Sequence, residues 1–378
     1  MVREIPFFKP DISYFEREQI EEVLNLKGTS KIEDLENEFI KKSGATYAVS
    51  TNSGTSALHL AMCAMDLKRG DKIICSVNSF PSVPEVVRHF DAEPIFADID
   101  SEDFNIDLDD FEKILEKNNS KKLKGAIINH VGGQPTDLNR LYDIANHFNI
   151  KIVEDASDAL GGTYNGKPIG ATGADITCFS FSPHMNHSIA NAGMLLCEDS
   201  ALYERAVLLR NHAIQSSGWD RYGNLEYMYD VVDIGCKYDI STLDAAYSLA
   251  QFKRIDKMIA RRKQIAKIYD KELSGIKHIS LPIKKRDHTY QLYIIRISRN
   301  RDGFARALKQ RGVHTGLHYI PLHLLNYYKN KYLLRVNDFQ QALQTYQQVL
   351  SLPIYNGMSD SDVGYVCDMV KEVAKQHI

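Results

Sequence analysis

This sequence has little of what would direct it to nucleic acid, to a membrane or to an oxidising compartment. Its 46 basic and 49 acidic residues nearly cancel, to a net charge of −3, so no broad basic field exists to attract phosphodiesters or anionic lipid. The short runs Lys121-Lys122 and Lys284-Lys285-Arg286 read as solvated surface. Cysteine is sparse and scattered, at positions 63, 75, 178, 197, 236 and 367. No close pair suggests a zinc knuckle, a redox Cys-x-x-Cys or an iron–sulfur run, so no metal is expected. The six read instead as small buried hydrophobes in a reducing compartment. No stretch is long and uncharged enough to span a bilayer, and Met1-Val2-Arg3-Glu4-Ile5-Pro6 lacks an apolar signal core. Cytoplasmic location is therefore the expectation. Internal repeats and low-complexity linkers are absent as well.

What remains is an ordinary globular composition, 44 % hydrophobic and 25 % charged over 378 residues, long enough for two domains. From about residue 33 to 255, β-branched apolar runs alternate with amphipathic stretches, the pattern of βα units around a mainly parallel sheet. Lys72–Ser76, Glu93–Ala97, Gly125–Asn129 and Lys151–Asp155 read as strands. The polar residues at their carboxyl ends stand where open α/β sheets bind ligands. A long helix is expected from Leu243 through Ile255. Beyond it, a strand over Tyr290–Ile297 and a helix over Asp302–Arg311 suggest a smaller α+β domain, giving expected units of 1–250 and 251–378.

Four places carry candidate chemistry. Asn52-Ser53-Gly54-Thr55-Ser56 sets a small-residue turn before an apolar helix, where backbone amides and the Thr55 and Ser56 hydroxyls can hold phosphate. An ordinary Ser/Thr cap would look the same. Asp155 ends an apolar strand and is followed by Ala156-Ser157, which suits a carboxylate facing a protonated ring nitrogen as well as it suits a turn cap. Phe80 follows one strand and Gln134 follows Gly132-Gly133 after another. An aromatic face can stack on a heteroaromatic ring and an amide can reach its exocyclic oxygen. Each alone is as readily a core or turn residue.

Their order along the chain, an aromatic loop, Gln after Gly-Gly, Glu154-Asp155-Ala156, then Phe179-Ser180-Phe181, resembles the DegT/DnrJ/EryC1/StrS family of sugar-nucleotide aminotransferases. The likeness runs from Pro6 through Tyr238 to His318-Tyr319-Ile320-Pro321-Leu322-His323 and Ser351-Leu352-Pro353-Ile354-Tyr355. It implies a fold-type I architecture dependent on pyridoxal 5'-phosphate (PLP) or pyridoxamine 5'-phosphate (PMP). The large α/β domain would have a mainly parallel central sheet, and the N-terminal segment would pack on the small C-terminal α+β domain. It further implies a homodimer, a nucleotide-sugar substrate, glutamate as nitrogen donor, and a place in surface-glycan or deoxysugar biosynthesis. Carried over residue by residue, Thr55, Ser56 and Ser180 would bind phosphate and Phe80 would stack on the ring. Asp155 would hold the ring nitrogen, Gln134 would lie near the 3-hydroxyl, and His318, Tyr319 and His323 would face the sugar nucleotide.

Three departures from the family pattern stand out. Met185 occupies the lysine position of Phe-Ser-Phe-x-Pro-x-Lys-Asn, and a thioether can neither form a Schiff base nor shuttle protons. Asp158 stands where Gln or His is usual. Gly235-Cys236-Lys237-Tyr238-Asp239 replaces Gly-Phe-Asn-Tyr-Arg, so Lys237 would meet the neighbouring subunit's phosphate as a point charge while Asp239 reverses the sign of its counterpart. A Lys→Met change made to halt turnover and natural divergence both fit Met185; the accompanying changes favour divergence. The flanking His184 and His187 offer a base for a PMP-dependent sugar 3-dehydratase. The other alternative is a non-catalytic sugar-nucleotide-binding homologue or partner subunit.

Overall fold

The apolar runs assemble into a seven-stranded sheet in the computed structural model, which describes residues 3–25, 30–181, 190–215 and 229–377. The strands are β1 (Tyr47–Thr51), β2 (Lys72–Ser76), β3 (Glu93–Ala97), β4 (Leu123–Asn129), β5 (Lys151–Asp155), β6 (Ile176–Ser180) and β7 (Gly193–Cys197). They lie in the order β1-β7-β6-β5-β4-β2-β3. Pairs β2–β3, β2–β4, β4–β5 and β5–β6 are parallel, and β7 runs against both of its neighbours. Every residue of β6 and β7 is buried, as expected where helices cover both faces and the strands read as unbroken apolar runs.

The two-residue period of the strands divides the core. Ile73, Cys75, Ile127 and Val153 face one layer, which includes Leu58 and Met62 of α3 (Gly54–Ala64). Ile74, Ala126, Ile128 and Ile152 face the other, against Leu35 and Phe39 of α2 (Lys31–Ser43), Phe111 of α5 (Leu108–Asn118) and Leu141 of α6 (Leu138–Phe148). The remaining helices of this region are α1 (Tyr14–Leu24), α4 (Ser82–Arg88) and α7 (Ser200–Arg210).

The expected helix through Ile255 is two helices, α8 (Thr242–Lys253) and α9 (Ile255–Leu273), divided at Arg254. The Arg254 guanidinium is anchored by Asp11 at 2.8 Å and Glu16 at 2.5 Å. The expected strand from Tyr290 starts only at Tyr293, because Tyr290 adopts φ +51°, which ordinary extended pairing does not accommodate.

A three-stranded antiparallel sheet, β8 (Ile279–Ser280), β9 (Tyr293–Ile297) and β10 (Val349–Leu352), carries its own core. Around it lie α9, α10 (Arg301–Gln310), α12 (Gln340–Gln348) and α13 (Asp360–His377), whereas α11 (Asn326–Lys331) packs through Tyr328 on Phe96 of the large sheet. Ile5 joins this core, pairing in parallel with Val313.

An aromatic cluster locks α2 to α8 and the sheet: the Phe39 ring stacks on that of Phe252, centroids 3.8 Å apart and planes nearly parallel, with Phe179 and Phe181 packed on its other sides. Phe39→Ala should cost about 3–5 kcal/mol by combining lost burial with a cavity. Urea unfolding measures this; a loss under about 1 kcal/mol would mean that the cluster collapses around the gap.

Candidate active site

The start of α3 and the carboxyl end of β6 approach unusually closely. A Cβ at Gly54 would stand 2.4 Å from Ser180 Cβ, so this approach requires glycine. Ser53 caps the helix, its hydroxyl accepting from the Ser56 amide at 3.1 Å. The Ser56 hydroxyl donates to Asn52 Oδ1 at 2.6 Å, and Thr55 is exposed. Helix geometry leaves the Gly54 and Thr55 amides without intrahelical acceptors, and the positive end of the dipole faces outward beside Ser180. The arrangement suits an anion.

The segment bearing Lys237 runs beside this turn. The Asn52 amide donates to Tyr238 O at 2.8 Å and Asn52 Nδ2 to Lys237 O at 3.3 Å. Lys237 itself is exposed, and its ammonium pairs with Asp239 at 2.8 Å within the same chain.

Asp155 lies one strand over, paired with Cys178, two residues before Ser180. Strand spacing and rise put the Asp155 and Ser180 backbones on the order of 8 Å apart. The Ser157 hydroxyl and amide donate to Asp155 Oδ1 at 2.6 and 3.3 Å. Among the described residues Oδ2 accepts no hydrogen bond. Burial raises the Asp155 carboxyl above its ordinary value, opposed by the two Ser157 hydrogen bonds and by the nearby His130.

Asp158 supplies a second carboxyl. Burial pushes it up to about 7; the Gly132 amide pulls it down, and the charge of Asp155 pushes it up again. That Gly132 hydrogen bond is 2.9 Å. Behind it, Arg262 of α9 is fully buried. Burial brings its guanidinium down to about 10 while Asp158 acts in the opposite direction. Its Nε donates to Thr289 O at 3.1 Å, and Thr289 Oγ1 donates to Asp158 O at 2.8 Å.

The opposite wall comes from the C-terminal half. Tyr319 lies near enough to both carboxyls to sense their charge: burial raises its hydroxyl well above the ordinary value, and the charges of Asp158 and Asp155 add to this. Its ring meets Phe80 edge-on at 6.0 Å. Phe80 remains 57 % exposed, an open aromatic face at the cleft. Leu322 N donates to Val77 O at 2.9 Å, tying this wall to the loop after β2.

The other expected site residues occupy different surroundings. Gln134 is buried and its amide is engaged by one loop: Oε1 accepts from the Lys285 and Arg286 amides at 2.7 and 3.0 Å, and Nε2 donates to Ile283 O at 3.1 Å. His318 stacks on Phe7 and contacts Ser351 Oγ at 2.9 Å; burial drops its imidazole to about 4. His323 is completely buried beside Phe339, with Nε2 3.2 Å from Val336 O. His184, Met185 and His187 lie outside the described residues. In the sequence Ser157 reads only as a small residue after the strand, not as a donor to Asp155, and Arg262 is not singled out. The Asp-x-Ser spacing signals the first; nothing sets Arg262 apart from the other basic residues of its amphipathic helix.

Asp158 yields a pH prediction. A carboxyl whose folded pKa is raised binds its proton more tightly folded than unfolded, so its contribution to stability falls as pH rises from about 4 to about 7. Asp158→Asn removes that term. The melting midpoint of the variant minus that of the parent should therefore grow across this window, and a difference independent of pH would contradict the assignment.

The chain is similar to known proteins along nearly its whole length. The chain is 33 % identical to an uncharacterized protein of Methanocaldococcus jannaschii over 396 aligned positions, covering 100 % of both chains. It is 33 % identical over 383 positions to the spore coat polysaccharide biosynthesis protein SpsC of Bacillus subtilis, covering 98 % of this chain and 97 % of SpsC. Spr1654 of Streptococcus pneumoniae, named as a candidate sugar aminotransferase and solved in a PMP form, superposes with a TM-score of 0.91 at 26 % identity, covering 99 % of this chain and 100 % of that one. The same protein is also solved in a PLP form. With a family match spanning residues 10–371, the chain belongs to the DegT/DnrJ/EryC1/StrS aminotransferase family.

Proposed function

We propose that this chain binds PLP or PMP by charge and packing and acts on a keto-sugar nucleotide, with Met185 standing where the cofactor-tethering lysine would be. The observation that carries the reading is Asp155, with one carboxylate oxygen uncommitted among the described residues, one strand from an anion-ready helix start. A phosphorylated pyridine matches that pair of demands, a cationic ring nitrogen at one end and a phosphate at the other.

When bound, the cofactor supplies an electron sink for charge developing on the reacting carbon. The chain's own residues do the rest. Asp155 keeps a proton on the ring nitrogen, while Ser157 fixes the carboxylate's orientation. Thr55, Ser56 and Ser180, with the α3 amides, hold the phosphate. Phe80 offers its face to the ring and, with Tyr319, restricts water. Asp158 keeps a proton near neutral pH, which limits repulsion between the two carboxyls.

The name of SpsC supports a role in surface-glycan synthesis. A homodimer with active sites at the interface, Lys237 entering the partner's site, is part of the same reading. It is supported by the exposed apolar run Val231, Val232 and Ile234, the last 91 % exposed.

Without an amine at position 185, amino transfer from glutamate should run at least about a hundredfold below that of Met185→Lys, the scale lost with a positioned proton carrier. The test incubates both proteins with a 4-keto sugar nucleotide, glutamate and PLP or PMP. Expected for Met185→Lys are a new visible absorption band with PLP and an amino-sugar product. A folded variant that shows no such band in excess PLP would sink the cofactor reading. A 3-deoxy product from the parent chain with PMP would replace amino transfer with dehydration, and cofactor retention without any product would leave a binding role.

A further inference from the structure

A second constellation lies on the flank of α3 that faces away from its phosphate-ready end. His59 and Cys63 are four residues apart on that helix, so their side chains share one face a turn apart. The segment after residue 229 crosses this face and delivers Cys236. Backbone hydrogen bonds hold Cys236 on both sides: its amide donates to Leu209 O at 2.8 Å, and its carbonyl accepts from the His212 amide at 2.8 Å. One imidazole nitrogen and two sulfurs thereby converge within 4.8 Å of one another.

We propose that His59, Cys63 and Cys236 bind a borderline-soft divalent cation of the zinc type. A tetrahedral zinc ion with ordinary Zn–S and Zn–N bonds separates its ligand atoms by about 3.5–3.8 Å. The observed gap from His59 Nδ1 to Cys63 Sγ is 3.5 Å. The Tyr238 hydroxyl, 3.2 Å from the same Nδ1, stands beside the fourth position, which it or a water molecule fills. The imidazole is already oriented, stacked on Phe90 at 5.0 Å and met edge-on by His89 at 5.4 Å. Two sulfurs and an imidazole select zinc-like ions over magnesium or calcium, which require oxygen ligands. On binding, each thiol gives up its proton to solvent and each sulfur donates an electron pair to the metal, with no change of oxidation state.

The ion would clasp the crossing segment, which carries Lys237, to the helix that carries Thr55 and Ser56. Cys236 belongs to the stretch that departs from the family pattern, so the clasp is a property of this chain. It does not rest on the cofactor reading.

The full-length protein, untagged and purified in reducing buffer without chelator, is tested with zinc(II) and cobalt(II). Expected are one zinc per chain by elemental analysis and a higher melting midpoint with zinc. With cobalt, sulfur-to-metal charge-transfer absorption and the visible bands of a tetrahedral ion should appear. Cys236→Ser and His59→Ala should each reduce zinc content below a tenth of the parent's and abolish the cobalt bands, while Cys197→Ser leaves both intact. Because Cys63 is buried and its replacement can perturb folding, half-exposed Cys236 is the primary probe. Absence of stoichiometric zinc together with no tetrahedral cobalt spectrum would overturn the proposal. So would zinc retained in full by Cys236→Ser, or a Cys63–Cys236 disulfide, two hydrogens lighter by mass, forming in place of metal uptake.

Discussion

A carboxylate at the end of a buried strand is costly unless a cation or a set of donors meets it, and the site is organised around that constraint at Asp155. Two Ser157 donors satisfy one oxygen and none of the described residues satisfies the other. Asp158, a second carboxyl in the same desolvated space, holds its proton to about pH 7, which limits the charge gathered beside Asp155. In the proposed reading a pyridinium nitrogen would meet Asp155, and its phosphate would lie at the α3 start. The Gly54–Ser180 approach that opens this path admits no side chain at position 54.

The architecture explains why these groups can meet. Parallel strands β2, β4, β5 and β6 bring their carboxyl ends to one edge, where polar residues escape the apolar layers on both faces. The cleft is completed from far along the chain: Tyr319 comes from the C-terminal half and is fastened to the sheet by the Leu322–Val77 hydrogen bond. Hence the pocket depends on how the 316–322 segment docks as much as on the sheet itself.

Much of this was legible in the sequence where one local pattern decides the outcome. Lys72–Ser76, Glu93–Ala97 and Lys151–Asp155 are strands with the expected bounds, because short β-branched runs between turn residues have no competing helical period. The Ser53 cap and the helix after it were equally plain. Long-range packing was not. Gln134 is held by the 283–286 loop, and His323 by Phe339 and Val336, contacts that no nearby residue announces. The break at Arg254 depends on partners near residue 11 and at Glu16, and Cys236 meets Cys63 only through the crossing segment.

The central claim is that charge complementarity alone can hold a phosphorylated pyridine in a pocket with no tethering amine. Calorimetric titration of the purified chain with PMP tests it most directly, since PMP forms no Schiff base even with a lysine present. Expected is saturable binding of one PMP per chain, weakened by at least about tenfold in Asp155→Asn, the scale of one charge-assisted hydrogen bond, with the variant still folded by circular dichroism. No saturable heat, or equal affinity in the two proteins, would contradict it.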